Sequence, residues 1–398
     1  MRADASLRKL PAILPAAPCP EHLVVAVAQN DAHVGSITVF VYHYNPAKAK
    51  TASERYMIFP RSSCRGNAAH KPWRRVGVSL LTGAWGLAGC VSPPSVPPNV
   101  VIPDAHNNGY VLAFDDRSET LASGGSEGGI RLWRLPDGKA LTGWKAHSDS
   151  VQGLKFINHD RELLSADYDD TLALWRRDGT LLRRITTPSH ITSMAADETS
   201  GIIVTGHRDG HVRLWRLADF SLMKDLRLHH GSVRAVAYQA TNRLLASSGT
   251  DGRVFYWRLG ESPYLLPSPP TDARDLTFTP DGKVLLGSGW FKLFRWQLAD
   301  DNLQTLPTAI HGIIKSISLS RDGHTLASIG NQTNSSVYLL NARTGAVLKR
   351  FQPHDLCGTY VLFSPDGRYL ASTSDDASIH IWYLRHLLPE QTYYLQTP

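Results

Sequence analysis

The chain has 398 residues, of which 42 % are hydrophobic and 19 % are charged, a composition that is typical of a globular protein and excludes wholesale disorder. Its formal net charge is +7, but residues 1–89 hold 11 of the 42 basic and 4 of the 35 acidic side chains, so residues 90–398 hold 31 of each. A neutral body has no global cationic field for phosphate, and we expect no nucleic-acid partner.

The first 56 residues show no repeat and no clear periodicity. We interpret residues 1–56 as a non-native or disordered extension, because a start at Met57 would leave residues 57–89 as a leader of ordinary length for an export signal.

The segment before Cys90 has the parts of an export signal in the expected order. A basic cluster at residues 71–75 is followed by an apolar run at residues 76–89, which is too short for an ordinary membrane span. Its end, Leu87-Ala88-Gly89-Cys90, resembles the lipobox of bacterial lipoproteins. That resemblance implies that Cys90 becomes the lipidated first residue of the mature chain. The alternative is a chance match in an intracellular protein.

Residues 90–98 are rich in proline and have the composition of a stiff, extended tether. In lipoproteins a residue other than Asp after the lipidated Cys usually implies the outer membrane, and Val91 fits that pattern. The leader therefore predicts a lipid anchor at the bacterial cell envelope, with the body facing the periplasm.

From residue 99 to 385 the chain repeats a unit of about 40 residues. Each unit contains short segments of alternating apolar residues separated by turns such as Pro365-Asp366-Gly367, which indicates four strands. The seven units end their third strands at Trp133, Trp175, Trp215, Trp257, Trp296, Leu340 and Trp382. Such a unit cannot bury both faces alone, whereas seven packed radially bury one another.

These repeats resemble the WD40 family, which implies an all-β fold: a seven-bladed propeller with four-stranded antiparallel blades. In that family a His, a Ser or Thr, an Asp and a Trp form a hydrogen-bonded tetrad within a blade. Three units match all four positions in register: His147/Ser165/Asp169/Trp175, His229/Ser247/Asp251/Trp257 and His354/Ser372/Asp376/Trp382. The family closes its ring by pairing an N-terminal strand with the last blade, and we expect residues 99–103 to pair with residues 379–384. The C-terminal tail, residues 386–398, could compete for that edge.

The chemistry of the sequence argues against an enzyme. Ser, His and Asp recur together in three units, whereas a catalytic triad is one unique arrangement beside an oxyanion site. The chain has no metal or haem motif and no phosphate-binding loop, so we predict no cofactor and no metal. Two turns faintly resemble quinoprotein repeats, and an envelope propeller enzyme, quinoprotein-like or sugar-acting, is the alternative.

Departures from the repeat mark a candidate partner surface. The fifth unit has Trp290 and Phe291 where other units have an acidic turn, and Tyr168 and Arg208 stand just before turn aspartates. Exposed aromatic residues around one mouth of a propeller would form a site for a protein or peptide. The alternative is that Trp290 folds inward to replace the missing tetrad. Our interpretation is a non-enzymatic interaction scaffold of unidentified partners.

Overall fold

The computed structural model describes residues 23–28, 38–43, 95–308, 310, 312–331 and 335–385. The chain divides into two compact units, Met1–Ser92 and Pro93–Pro398. In the first unit, β1 (Leu23–Ala28) pairs antiparallel with β2 (Thr38–His43). This pairing lies within the segment interpreted as an extension. Met57, the export signal and the lipidation site at Cys90 lie outside the described residues.

The second unit consists of seven four-stranded antiparallel sheets, and the predicted seven-bladed β-propeller is confirmed. Blades one to three consist of the following strands: β4 (Gly109–Phe114), β5 (Thr120–Gly125), β6 (Gly129–Arg134) and β7 (Lys139–Lys145); β8 (Val151–Ile157), β9 (Glu162–Asp167), β10 (Thr171–Arg176) and β11 (Leu181–Thr186); β12 (Ile191–Asp197), β13 (Ile202–His207), β14 (His211–Arg216) and β15 (Leu222–Arg227). Blades four to six consist of the next twelve: β16 (Val233–Gln239), β17 (Leu244–Gly249), β18 (Val254–Arg258) and β19 (Tyr264–Leu265); β20 (Asp275–Phe278), β21 (Val284–Ser288), β22 (Leu293–Gln297) and β23 (Asn302–Leu306); β24 (Ile313–Leu319), β25 (Thr325–Asn331), β26 (Val337–Asn341) and β27 (Val347–Arg350). Blade seven combines the last three strands, β28 (Gly358–Phe363), β29 (Tyr369–Ser374) and β30 (Ile379–Tyr383), with the early strand β3 (Val100–Ile102).

The turn between the first two strands shows why the sequence folds this way locally. In blade seven, Asp366 accepts hydrogen bonds from the hydroxyl of Ser364 (2.7 Å) and from the backbone N–H of Arg368 (2.9 Å). Gly367 has a φ of 72°, a left-handed conformation that costs glycine little. The aspartate and the glycine therefore fix a tight reversal between β28 and β29.

The core is divided into layers between neighbouring blades. The first strands of successive blades contact one another around the ring, so they surround its axis. Each residue that ends a third strand packs between its own blade and the preceding one, as Trp175 does against Leu132 and Trp382 against Phe351. Burying a whole indole contributes about 4–6 kcal/mol before the cost of ordering it, so these layers hold the ring together.

The ring closes as the sequence predicts. Val100 pairs with Ile381 and Ile102 with Ile379, so β3 completes blade seven. Just before this strand, Val96 forms a parallel bridge with Phe351 of blade six, and its carbonyl accepts a hydrogen bond from the Trp382 indole at 3.2 Å. The segment from Val96 to Ile102 thus contacts the last two blades. The C-terminal tail, which was the competitor for this edge, lies outside the described residues.

Within the parts of the chain that the structure describes, we find no helix with the length and apolarity needed to cross a membrane.

Candidate functional site

The candidate partner residues all lie at one end of the ring. Because strands alternate in direction within a blade, every loop between the second and third strands lies at the same end as the segment that enters the first strand. Hydrogen bonds join these two parts of a blade: the Tyr168 N–H donates to the Ser150 carbonyl (3.0 Å) and the Arg208 N–H to that of His190 (2.9 Å). Trp290 and Phe291 follow the second strand of blade five and belong to the same end. We call this end the loop face.

The buried polar groups behind the loop face hold the loops in position. In blade two, the Trp175 indole donates to Ser165 Oγ at 2.8 Å, and Ser165 Oγ lies 2.7 Å from His147 Nε2. The carboxylate beside His147 Nδ1 is that of Asp167, at 3.1 Å, and both side chains are fully buried. An indole only donates, so Ser165 Oγ is the acceptor for Trp175, while His147 Nδ1 and the Asp167 carboxylate are in contact without a hydrogen bond.

The prediction that Asp169 completes this group is wrong. Asp169 lies in the exposed turn and accepts a hydrogen bond from the Ser148 hydroxyl at 2.8 Å. Asp167 is two positions from Ser165 in the same strand, and residues two apart point to the same face of a sheet. This alternation, applied to β9, would have identified Asp167 from the sequence.

Blade one contains a complete tetrad that counting from the tryptophan missed. His106 lies 2.6 Å from Glu127 Oε1 and 2.8 Å from Ser123 Oγ, and the Trp133 indole donates to the same Ser123 oxygen at 2.8 Å. His106 precedes its tryptophan by one position fewer than the other three histidines do. Burial lowers the pKa of His106, outweighing the opposing effect of Glu127, so the imidazole is neutral at physiological pH.

In blade four, three of the four predicted members are joined. His229 lies 2.9 Å from Ser247 Oγ and 3.1 Å from Asp251 Oδ1. Burial alone would raise the pKa of Asp251, but hydrogen bonds from the His230 N–H and from His229 lower it. Trp257 is buried, and no hydrogen bond within the described residues joins it to Ser247.

In blade seven, His354 lies 2.7 Å from Ser372 Oγ and 3.2 Å from Asp376 Oδ2. Burial opposes ionisation of Asp376, yet its hydrogen bonds with His354 and Ser378 hold its pKa well below the usual range. The Trp382 indole turns away from this group and donates to Val96, a bond that only ring closure creates.

Blade three uses a different histidine. Thr187 stands at the usual His position, and His207 from the end of β13 lies 2.7 Å from Thr205 Oγ1, to which the Trp215 indole donates. Burial lowers the pKa of His207 to about 4, against an opposing hydrogen bond with the Ser189 carbonyl. Asp209, at the usual aspartate position, instead forms an ion pair with Arg213 at 2.7 Å.

The Ser–His–carboxylate contacts in blades one and two resemble a catalytic triad in their distances, but their serine oxygens have no access to a substrate. In blades one and two each serine oxygen is fully buried and already engaged by an indole and an imidazole. A nucleophile needs access to substrate and a nearby oxyanion site. The geometry fits an architectural role in these two blades.

One group on the loop face could offer ligands to a cation. Asp169, Asp170 and His190 place their ligand atoms within 4.8 Å of one another. His190 lies 3.0 Å from Asp170 and stacks on the Tyr168 ring at 4.9 Å, and these two contacts account for its position.

Trp290 lies at the surface and does not fold inward: its exposed fraction is 37 %, and that of Phe291 is 47 %. The interior of blade five is filled by Phe294, which is fully buried and packs against Trp296 with ring centroids 5.9 Å apart. Gly289 leaves the room for this ring, because a Cβ there would meet Phe294 at 2.7 Å.

Four segments of the chain match the family model described as "WD domain, G-beta repeat": residues 138–176, 179–216, 220–258 and 345–383. Each begins next to the outer strand of one blade and ends at the third strand of the next. These four segments are similar to WD40 repeats.

Several curated proteins are similar to part of this chain. Periodic tryptophan protein 2 of Arabidopsis thaliana is 25 % identical over 183 residues, covering 44 % of this chain and 20 % of that protein. Protein tipD of Dictyostelium discoideum is 24 % identical over 279 residues, covering 69 % of this chain and 39 % of that protein. Target of rapamycin complex subunit wat1 of Schizosaccharomyces pombe is 26 % identical over 243 residues, covering 56 % of this chain and 74 % of that protein. The chain therefore spans less than half the length of the first two relatives.

Proposed function

We propose that this protein is a non-enzymatic scaffold that binds protein partners on its loop face. The observation that carries the proposal is the exposed pair Trp290 and Phe291. The pair is held in place by backbone, since the Phe291 N–H donates to the Gly312 carbonyl at 2.8 Å and Trp290 bridges to Ile313. Exposed aromatic residues on a rigid support are favourable anchors for a partner, because little conformational entropy is lost on binding. The WD40 repeats and a relative whose name makes it a complex subunit support a role in protein assembly.

The test compares the proteins captured from the source cell by the wild type and by two double variants. Trp290→Ala with Phe291→Ala removes the proposed anchor. Leu222→Ala with Met223→Ala removes a similarly exposed apolar pair from the outer strand of blade three and is the matched control. We expect partners identified by mass spectrometry to be depleted at least fivefold with the first variant and kept with the second. Equal recovery with both variants would refute the proposal.

We also propose that the scaffold is anchored in a bacterial outer membrane through a lipid on Cys90. The support is the order of basic cluster, apolar run and lipobox in the sequence. The relatives named above are eukaryotic and do not support an anchor. Radiolabelled palmitate should enter the wild type and not Cys90→Ser, and intact mass should show a chain that begins at residue 90. A mature chain that begins further upstream and carries no acyl mass would refute this anchor.

A further inference from the structure

Seven equivalent positions surround the mouth of the ring at the loop face. In the first strand of most blades one residue is skipped in the pairing with the second strand. The skipped residue is Arg234, between Val233 and Ala235, in blade four and Lys315, between Ile314 and Ser316, in blade six. Arg274 takes the same place in blade five, directly before Asp275, which pairs with the last residue of β21. The seven residues at this position are Tyr110, Gln152, Thr192, Arg234, Arg274, Lys315 and Thr359.

Three successive blades place a cation at this position, and their charges are incompletely compensated. One carboxylate oxygen of Asp272 lies 3.1 Å from Arg234 Nε and 3.6 Å from Arg274 Nη2, so a single acid serves two guanidinium groups. Asp375 is the acid whose charge acts on Lys315. Three cations thus face two carboxylates.

Burial makes this imbalance costly. Burial lowers the pKa of Lys315, and the positive charges of Arg274 and Arg234 lower it further, while the negative charge of Asp375 raises it. Burial likewise lowers the pKa of Arg274. Arg274 Nε is buried and has no hydrogen-bond partner among the described residues. A donor in that state is destabilising until an acceptor reaches it.

The cations are continuous with the exposed aromatic pair. The Arg274 guanidinium lies over the Trp290 ring, 5.7 Å from its centroid, and the Trp290 and Phe291 centroids are 6.3 Å apart. A ligand that reaches this sector of the mouth therefore meets two aromatic rings at its edge and cationic groups toward the axis.

We propose that this sector binds an acidic segment of a protein partner, with a carboxylate between Arg274 and Lys315 and a neighbouring apolar side chain on Trp290 and Phe291. The inference rests on the proposed scaffold function and names the chemistry of the partner. A carboxylate would balance the third cation and would accept charge-assisted hydrogen bonds from the Arg274 guanidinium and the Lys315 ammonium. The aromatic rings give the segment a second, uncharged requirement, which separates this ligand from a free anion.

The test uses the full chain and a displayed library of random 16-residue peptides. We expect peptides enriched on the wild type to combine Asp or Glu with an apolar residue within three positions. A synthetic peptide from this set, labelled with fluorescein, is then titrated by anisotropy. Its analogue with amides in place of the carboxylates should bind at least tenfold more weakly, and binding of the acidic form should weaken as salt is raised.

Variants locate the site. Lys315→Gln, Arg234→Gln and Trp290→Ala should each weaken binding of the acidic peptide about tenfold, with thermal midpoints close to that of the wild type. Lys224→Gln removes an exposed cation from the outer strand of blade three and should leave binding unchanged. Enrichment of peptides without acidic residues, no enrichment at all, or unchanged affinity in both Lys315→Gln and Arg234→Gln would overturn the inference. If the acidic peptide fails while the aromatic double variant still loses captured partners, the scaffold proposal stands and only the acidic ligand is excluded.

Discussion

Replacing Ser165 by alanine tests whether the buried polar group of blade two stabilises the ring. Ser165 Oγ accepts from the Trp175 indole at 2.8 Å and lies 2.7 Å from His147 Nε2, and all three side chains are buried. Removal of the hydroxyl leaves two buried polar groups without their partner. Each costs about 1–3 kcal/mol, so we expect the free energy of unfolding to fall by about 2–6 kcal/mol.

Blade six offers a matched control for this substitution. Ser328 stands in the second strand of blade six at the position that Ser165 has in blade two, and Leu340 stands where the other blades have a tryptophan. The buried Ser328 hydroxyl has no hydrogen-bond partner among the described residues. Ser328→Ala should therefore leave stability unchanged or raise it slightly, because no bond is lost and an unsatisfied hydroxyl is removed.

The assay is unfolding in urea and by heat at pH 7.5, followed by tryptophan fluorescence and circular dichroism. For a domain of this size Ser165→Ala should lower the thermal midpoint by about 4–10 °C. Equal losses in Ser165→Ala and Ser328→Ala, or a loss below about 1 kcal/mol in Ser165→Ala, would show that the group contributes no more than its packing.

Two further predictions concern buried ionisable groups. Asp167→Ala should lower the free energy of unfolding by about 1–3 kcal/mol and Asp169→Ala by less than about 0.5 kcal/mol, because only Asp167 is buried beside a histidine. Similar urea midpoints for the two variants would contradict this assignment. Burial lowers the pKa of His380 and of His207 from 6.5 to about 4. As the pH falls, the unfolded chain binds these two protons before the folded chain does. Each group therefore lowers the free energy of unfolding by up to about 3 kcal/mol between pH 6.5 and pH 4. Burial raises the pKa of Asp275 to about 6, which stabilises the folded chain as the pH falls and partly masks the histidines. The measurement is therefore the free energy of unfolding of wild type and of His380→Phe, each at pH 7 and at pH 4.5. An equal fall in both proteins would rule out His380 as a source of the acid sensitivity.

The repeat made the fold predictable, because one residue type recurring near every fortieth position marks the third strand of each blade. The same counting failed where local geometry varies. Asp167 lies inside a strand while Asp169 lies beyond it, and His106 is one position closer to its tryptophan than the other histidines are. The bond from Trp382 to Val96 depends on two segments that meet only when the ring closes, so no local pattern could indicate it.

The closing contact also sets the order in which the molecule can be completed during synthesis. The two residues that it joins, Val96 and Trp382, are 286 positions apart. At about 5–20 residues per second, the ribosome needs about 15–60 s to make the intervening chain. For most of that time β28, β29 and β30 have not been made, and β3 has no complete partner strand until β30 is finished. A free strand edge is a template for unintended pairing, so a chain that folded while it was being made would be exposed to misassembly until Trp382 is added.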